Sequence, residues 1–143
     1  MMSVLESNFT GLQHIGIPVT DMEESLAFYE KLGFKLIMDK PFDYEGETGQ
    51  CCMVERQGVI IELYQFPPKG IEEIRCRGNG HIDHITFGVK DIETAFNELR
   101  AAGFAIDEDA PVFLDFWESG CRYFNVIGPD GERLEFNEMI QGN

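Results

Sequence analysis

The sequence predicts an α+β fold that consists of two copies of one βαβββ module. The first observation is an internal repeat: residues 14–34 align without a gap to residues 84–104 and are identical at seven of 21 positions. The second is that each copy changes from alternating apolar residues, typical of a strand, to apolar residues spaced by three or four, typical of a helix. The third is that turn residues divide the remainder of each half into short segments. Two copies indicate pseudo-twofold symmetry within a single domain spanning residues 1–143.

Each copy begins with a strand that has one apolar face and one face of small residues. Alternation places the branched and aromatic residues on one side and a histidine followed by small residues on the other. The histidine sides are His14, Gly16 and Pro18 in the first copy and His84, Thr86 and Gly88 in the second. We expect these small residues to line a ligand cleft beside the histidines.

A helix follows each strand. Asp21 and Asp91 are placed to cap the helix starts, and Gly33 and Gly103 are placed to end the helices in the left-handed conformation. The apolar stripes between them are interpreted as core, not as ligand-binding positions. These stripes are Met22, Leu26, Tyr29 and Leu32 in the first helix and Ile92, Phe96, Leu99 and Ala102 in the second.

The remainder of module one, which covers about residues 10–66, is predicted to be all strand and loop. A short strand is expected at residues 35–38 and a polar loop at residues 39–49. A hairpin of residues 50–56 and 59–66 then turns at Gln57-Gly58. Residues 67–80, rich in Pro, Gly and charge, are interpreted as a linker.

Module two, about residues 81–139, repeats this plan with one longer passage. A strand is expected to begin near Phe104, and a second hairpin to pair residues 121–127 with residues 133–137. Between them, residues 107–120 carry an apolar cluster that includes Phe116 and Trp117. This passage is either a lid over a ligand or a packed surface loop.

Composition limits the classes of partner. The chain is 43% hydrophobic and 12% aromatic, enough for a sizeable core, and its net charge is −15. That charge argues against nucleic acid and anionic membrane surfaces. No signal peptide or long apolar run is found, so we expect a soluble, cytoplasmic protein. The four cysteines lack the spacing of a zinc or redox motif and are interpreted as reduced thiols.

Two carboxylates lie in apolar strands. Glu62 follows His14 by 48 residues, and Glu135 follows His84 by 51, so each half carries one histidine and one glutamate at similar spacing. An unpaired buried carboxylate is costly, so such a residue is paired, protonated, exposed or bound to a metal. A twofold axis between the halves would bring the four side chains together, and two imidazoles with two carboxylates suit a divalent transition metal.

The chain resembles the vicinal oxygen chelate superfamily, which includes glyoxalase I (lactoylglutathione lyase) and methylmalonyl-CoA epimerase. The resemblance covers about residues 10–139 and rests on HIGIPVTDMEESLAFYEKLGF, IELY, HITFGVKDIETAF and GPDGERLEF. It implies the glyoxalase/bleomycin resistance/dioxygenase fold, in which paired modules form a curved mixed sheet around a metal cleft. His14, Glu62, His84 and Glu135 fall on the family's metal-ligand positions. Glutamate at position 62 favours glyoxalase I over the epimerases, which carry glutamine there.

The resemblance implies a metal-dependent lyase or isomerase that acts on the hemithioacetal of a 2-oxoaldehyde through an enediolate. The expected cofactor is Ni²⁺, Zn²⁺ or Co²⁺, with Mn²⁺ and Fe²⁺ as further options. Glu135 is the preferred general base, with Glu62 as the alternative, and a homodimer is expected. We expect Gly16, Pro18, Thr86, Gly88, Phe116 and Trp117 to contact substrate.

One position departs from glyoxalase I of the bacterial type. Pro18 stands where that enzyme has an arginine for the glutathione carboxylate. Other cations could replace its charge, namely Arg56, Lys69, Arg75, Arg77 and Arg122.

Other functions on this fold stay open. One is a methylmalonyl-CoA epimerase-like enzyme or another metalloenzyme, such as a thiol transferase or a dioxygenase; the short chain and second glutamate count against a dioxygenase. Another is a metal-free ligand-binding or resistance module.

Overall fold

The computed structural model describes residues 7, 10, 12–78, 82, 84–116 and 118–142. The chain forms two compact units, Met1–Ile71 and Glu72–Asn143. Both have the βαβββ order that the repeat predicted. No helix in the described ranges is long and apolar enough to span a membrane.

The first unit folds as one helix on a four-stranded mixed sheet. Its elements are β1 (Ile15–Pro18), α1 (Met22–Lys31), β2 (Lys35–Tyr44), β3 (Glu47–Arg56) and β4 (Val59–Gln65). The sheet order is β1-β4-β3-β2, with β1 parallel to β4 and the other pairs antiparallel. The helix therefore connects β1 to the strand at the far edge, and β4 returns to lie beside β1.

The second unit repeats this topology. Helix α2 (Pro68–Arg75) leads into it, followed by β5 (Ile85–Gly88), α3 (Ile92–Ala101), β6 (Val112–Leu114), β7 (Cys121–Ile127) and β8 (Arg133–Met139). Its sheet order is β5-β8-β7-β6, again with the first strand parallel to the last. The predicted α+β fold of paired βαβββ modules is confirmed.

Each helix packs on one face of its own sheet. In the second unit, Phe124 is fully buried and contacts Phe96 edge to face at 5.2 Å and Phe136 in a stacked pair at 5.5 Å. Tyr29 of α1 is equally buried in the first unit. A fully buried side chain of this size contributes roughly 1.5–3 kcal/mol by burial alone. This packing leaves the opposite face of each sheet available for a site.

The two helices start in the same way. Asp21 Oδ1 accepts from the amide of Glu24 at 3.1 Å, and Asp91 Oδ1 accepts from the amide of Thr94 at 3.1 Å, as predicted. A second contact was not predicted. The first helical amide of each helix donates to a side chain at the end of the last strand: Met22 to Gln65 Oε1 at 2.6 Å, and Ile92 to Glu138 Oε1 at 2.7 Å. The last strand of each unit therefore holds the start of its helix.

Gly33 and Gly103 have φ of 88° and 87°, so the predicted left-handed helix ends are confirmed. The stripes are largely buried, but Ala102, the residue after the end of α3, is exposed.

Two element predictions were wrong and one was incomplete. Residues 39–49 do not form a loop; β2 and β3 form a ten-residue hairpin across most of them, and Pro41 is tolerated because β2 is an edge strand. The linker contains helix α2. No strand begins near Phe104, where the described chain has only a bridge between Ile106 and Val126. The second unit instead has the short edge strand β6.

Candidate metal and ligand site

In the first unit, His14 and Glu62 lie side by side. His14 directly precedes β1, and the parallel pairing of β1 with β4 sets Gly16 opposite Glu62. His14 Nε2 lies 3.8 Å from Glu62 Oε2, and the side chains are 30% and 28% exposed. The pair is therefore open to solvent and to ligands on this face.

Small and sulfur-containing residues surround Glu62. A Cβ added to Gly16 would lie 3.6 Å from Glu62 Oε1 and 3.4 Å from the ring of Tyr64. Pro18 is buried opposite Tyr64 in the register. Burial raises the pKa of the Cys51 thiol above its ordinary value of 9.0, and the neighbouring Glu62 carboxylate raises it further. The face around this pair is thus mostly apolar.

The second unit repeats the pair on the equivalent strands. His84 precedes β5, and Thr86 lies opposite Glu135 in the β5–β8 register. His84 Nε2 lies 3.6 Å from Glu135 Oε1, with side-chain exposures of 41% and 16%. Each unit therefore holds one of the two predicted histidine and glutamate pairs.

Two asparagines that the sequence analysis did not select hold carboxylates in this unit. Asn137 donates its amide to Glu135 Oε2 at 3.1 Å and to the sulfur of Cys121 at 3.5 Å. Asn125, opposite Glu135 in the β7–β8 register, donates its amide to Glu108 at 2.8 Å. The Oδ1 atoms of both asparagines are buried without a hydrogen-bond partner among the described residues. Alternation within a strand could have indicated Asn137, since it stands two residues after Glu135.

A cavity of about 550 Å³ opens beside the second pair. That volume lies within the range typical of small-molecule sites. It is lined by His84, Thr86, Gly88, Leu114, Phe116, Tyr123, Asn125, Arg133, Glu135, Asn137 and Met139. Three of the predicted substrate-contacting residues, Thr86, Gly88 and Phe116, therefore line one cavity. Gly16 and Pro18 belong to the first unit's face, and Trp117 lies outside the described residues.

The five cations named from the sequence lie away from this cavity. None of the five lines the cavity, and each has a partner elsewhere. The partners are the Leu32 carbonyl for Arg56, the Glu45 carbonyl for Lys69, Glu72 for Arg75, Glu73 for Arg77 and Glu93 for Arg122. The cation that lines the cavity is Arg133, directly before Leu134 and Glu135 on β8.

The donor atoms suit a divalent metal, but each unit supplies only two. Separations of 3.6 and 3.8 Å are too long for hydrogen bonds. They are shorter than roughly 4.1 Å, the sum of typical Zn–N and Zn–O distances, so both atoms of a pair can contact one cation. Within the part of the chain that the structure describes, no group of three or more His, Cys, Asp or Glu side chains forms a metal site.

Comparison with known proteins identifies the family. The family model of the Glyoxalase/Bleomycin resistance protein/Dioxygenase superfamily matches residues 11–136. The chain belongs to this superfamily, the vicinal oxygen chelate superfamily, whose name covers both enzymes and a resistance protein.

Individual proteins are also similar to this chain. The Bacillus subtilis (strain 168) protein YwbC, described as uncharacterized, is 31% identical over 128 residues, covering 87% of this chain and 94% of that protein. A glyoxalase family protein from Enterococcus faecalis has a TM-score of 0.70 at 21% identity, covering 91% of this chain and 98% of that chain. TnmS3, an antibiotic binding protein from Streptomyces sp. CB03234, also has a TM-score of 0.70 at 21% identity, covering 92% and 98%. At this identity the two structures show the shared fold alone.

Proposed function

We propose that this protein is a metal-dependent, glyoxalase I-like lyase or isomerase. Its substrate is the hemithioacetal that a thiol forms with a 2-oxoaldehyde, and the reaction passes through an enediolate. The observation that carries the proposal is the repeated pair: each unit presents a histidine just before its first strand beside a glutamate on its last strand, 3.8 and 3.6 Å apart. The side chains of His14 and His84 are 30% and 41% exposed, so core packing does not account for the glutamate beside each of them.

The proposed metal ligands are His14, Glu62, His84 and Glu135, supplied within one chain or by two copies in a homodimer. Imidazole and carboxylate donors favour Ni²⁺, Zn²⁺ or Co²⁺, with Mn²⁺ and Fe²⁺ as alternatives. When bound, such a cation would act as a Lewis acid that stabilises the negative charge developing on two adjacent substrate oxygens.

Glu135 is the proposed general base. It lines the cavity together with Leu114 and Phe116, so it can reach a ligand there, and its own side chain is only 16% exposed. Asn137 holds one of its oxygens, while the other faces His84. A base in this position would take the proton from the carbon next to the carbonyl and return it to the neighbouring carbon. Glu62, which lies outside this cavity lining, is the alternative base.

The test combines metal analysis with an activity assay. Purified protein should contain one divalent metal per site, and methylglyoxal with several thiols should reveal isomerisation of the hemithioacetal. Glu135→Gln should retain some metal yet lose turnover by a factor on the order of 10² or more, the usual scale for a missing general base. Glu62→Gln is the matched control.

The two variants separate the outcomes. If Glu62→Gln loses turnover and Glu135→Gln keeps it, the roles of the glutamates are exchanged. If the wild-type protein moves no proton in any hemithioacetal or 2-hydroxy acyl thioester, the isomerase proposal fails. An epimerase-like activity would appear as exchange of the proton next to an acyl thioester without net isomerisation.

A metal-free binding role is the second candidate. The cavity of about 550 Å³ has the size of a drug-like ligand site, and a structural neighbour is an antibiotic binding protein. Ligand affinity that is unchanged by a chelator, in a protein without turnover, would favour this role.

A further inference from the structure

Arg133 is the cation of the cavity. Glu135 is the one carboxylate among the same lining residues, so the described lining carries one charge of each sign in a chain whose net charge is −15. The electrostatic field of this net negative charge disfavours anionic ligands over most of the surface. The described lining of this cavity has no net negative charge of its own.

Arg133 has no carboxylate partner in the described ranges, although several other arginines do. An exposed arginine next to a glutamate on the same strand face commonly pairs with it. Here the glutamate instead accepts a hydrogen bond from the amide of Asn137 and faces His84 at 3.6 Å. The guanidinium of Arg133 is therefore available to a ligand.

The two side-chain amides of the cavity already donate to other groups of the protein. The amide groups of Asn125 and Asn137 both donate to carboxylates, at 2.8 and 3.1 Å. The remaining side-chain donors on the lining, apart from His84, are the hydroxyls of Thr86 and Tyr123 and the guanidinium. Of these three, only the guanidinium is charged, and its planar fork matches a carboxylate.

Strand β8 sets the spacing between Arg133 and the pair of His84 and Glu135. Arg133 and Glu135 lie two residues apart on one face of β8, so their Cα atoms are about 6.7 Å apart. A ligand that places its oxygens at Glu135 and His84 would therefore extend a few bonds before it meets Arg133. The apolar side chains of Leu114, Phe116 and Met139 complete the lining.

We propose that Arg133 binds a carboxylate of the substrate, so that the protein acts on acidic 2-oxo or 2-hydroxy compounds with an apolar body. The proposal rests on the proposed function for the position of the reacting oxygens. Recognition of the carboxylate itself needs no metal.

The binding test uses chelator-treated protein, so that a carboxylate cannot be held by a metal. 3-Phenyllactate and its amide differ only in the acid group, and both are titrated by calorimetry. We expect the wild-type protein to bind the acid at least tenfold more tightly, and Arg133→Met to remove that preference while leaving the amide unchanged. Arg122→Met is the matched control, because it removes the same charge from the opposite face of the neighbouring strand β7.

A turnover test then uses methylglyoxal with 3-mercaptopropionate or with 2-mercaptoethanol. Arg133→Met should lower kcat/KM tenfold or more for the acidic adduct only. Equal binding of acid and amide by the wild-type protein would overturn the proposal, as would an equal loss in Arg122→Met. An acid preference that depends on Arg133, in a protein without turnover, would support the carboxylate site while rejecting the isomerase function.

Discussion

The amide of Asn137 donates to Oε2 of Glu135 at 3.1 Å, while Oε1 of the same carboxylate faces His84 at 3.6 Å. The equivalent position after Glu62 is Tyr64, which has no side-chain amide. The two glutamates therefore differ in how they are held, although their strands pair in the same way. An amide that fixes one oxygen leaves the other to serve as ligand or base.

Loss of that hydrogen bond should impair turnover. Asn137→Leu keeps the size of the side chain and removes the donor, and a hydrogen bond to a charged group contributes about 1.5–3 kcal/mol. We expect kcat for the hemithioacetal to fall about tenfold or more, with a smaller change in KM. Steady-state kinetics measure this, and metal titration shows whether metal affinity also changes. An unchanged kcat would show that the amide does not position Glu135.

Removal of a histidine should abolish stoichiometric metal. His84→Ala deletes one of the proposed ligands, and the side chain is 41% exposed, so the fold should tolerate the change. Mass spectrometry measures the metal content of the variant, and circular dichroism of the same sample shows whether the fold is retained. For the wild-type protein, metal affinity should fall in mildly acidic buffer, because ligands must lose protons to bind. Full retention of metal in His84→Ala would exclude the proposed ligand set.

A large side chain at Gly88 should block the cavity. A Cβ added there would meet no atom within 4 Å, so the backbone can accept a side chain. Gly88→Leu should therefore raise KM or abolish turnover with little change in melting temperature, and Gly88→Ala should have a much smaller effect. Unaltered turnover in Gly88→Leu would mean that substrate binds elsewhere.

The helix cap of the second unit predicts a pH dependence of stability. Hydrogen bonds from the backbone amide and the side-chain hydroxyl of Thr94 hold the pKa of Asp91 below its ordinary value of 3.8. The resulting stabilisation is fully present above that ordinary value and is lost as the pH falls through the lower pKa of the folded state. Asp91→Asn keeps an acceptor but has no charge, so its deficit in urea unfolding should be present at pH 7 and should shrink in acid. A deficit independent of pH would contradict this origin.

The alkylation rate of Cys51 tests whether the neighbouring Glu62 acts on this thiol. Because burial and Glu62 raise the pKa of Cys51, it should react with iodoacetamide at pH 8 more slowly than Cys76, which is exposed. Glu62→Gln removes the neighbouring charge and should speed the alkylation of Cys51 without affecting Cys76. Peptide mass spectrometry distinguishes the sites. An equal rate for Cys51 in both proteins would show that Glu62 does not influence this thiol.

The repeat explains why the architecture could be predicted from the sequence. Because the strand and the helix each occur in both aligned copies, each element could be assigned from two independent stretches. The helices capped by Asp21 and Asp91 could therefore be recognised with little ambiguity. The hairpin of β2 and β3 was missed because Asp39, Lys40 and Pro41 resemble a loop. In the structure they occupy an edge strand, where polar residues and proline are tolerated.

The site could be predicted only in part, for a related reason. The pairing of His84 with Glu135 follows from the duplicated pattern, and the structure brings those two side chains together. Arg133 and Asn137 occur once, with no counterpart of the same type in the first unit, so the repeat gave no indication of them. Their importance depends on which cations and amides are engaged elsewhere, and that requires coordinates.

The contacts from Gln65 to Met22 and from Glu138 to Ile92 have a consequence for how the duplicated halves can diverge. In both units the same anchor fixes the helix to the strand that carries the glutamate, and it lies on the helix side of the sheet. Substitutions on the opposite face therefore leave the frame untouched. One half can therefore carry a thiol and an aromatic ring beside its glutamate while the other carries amides and a guanidinium, with the helix anchor intact in both.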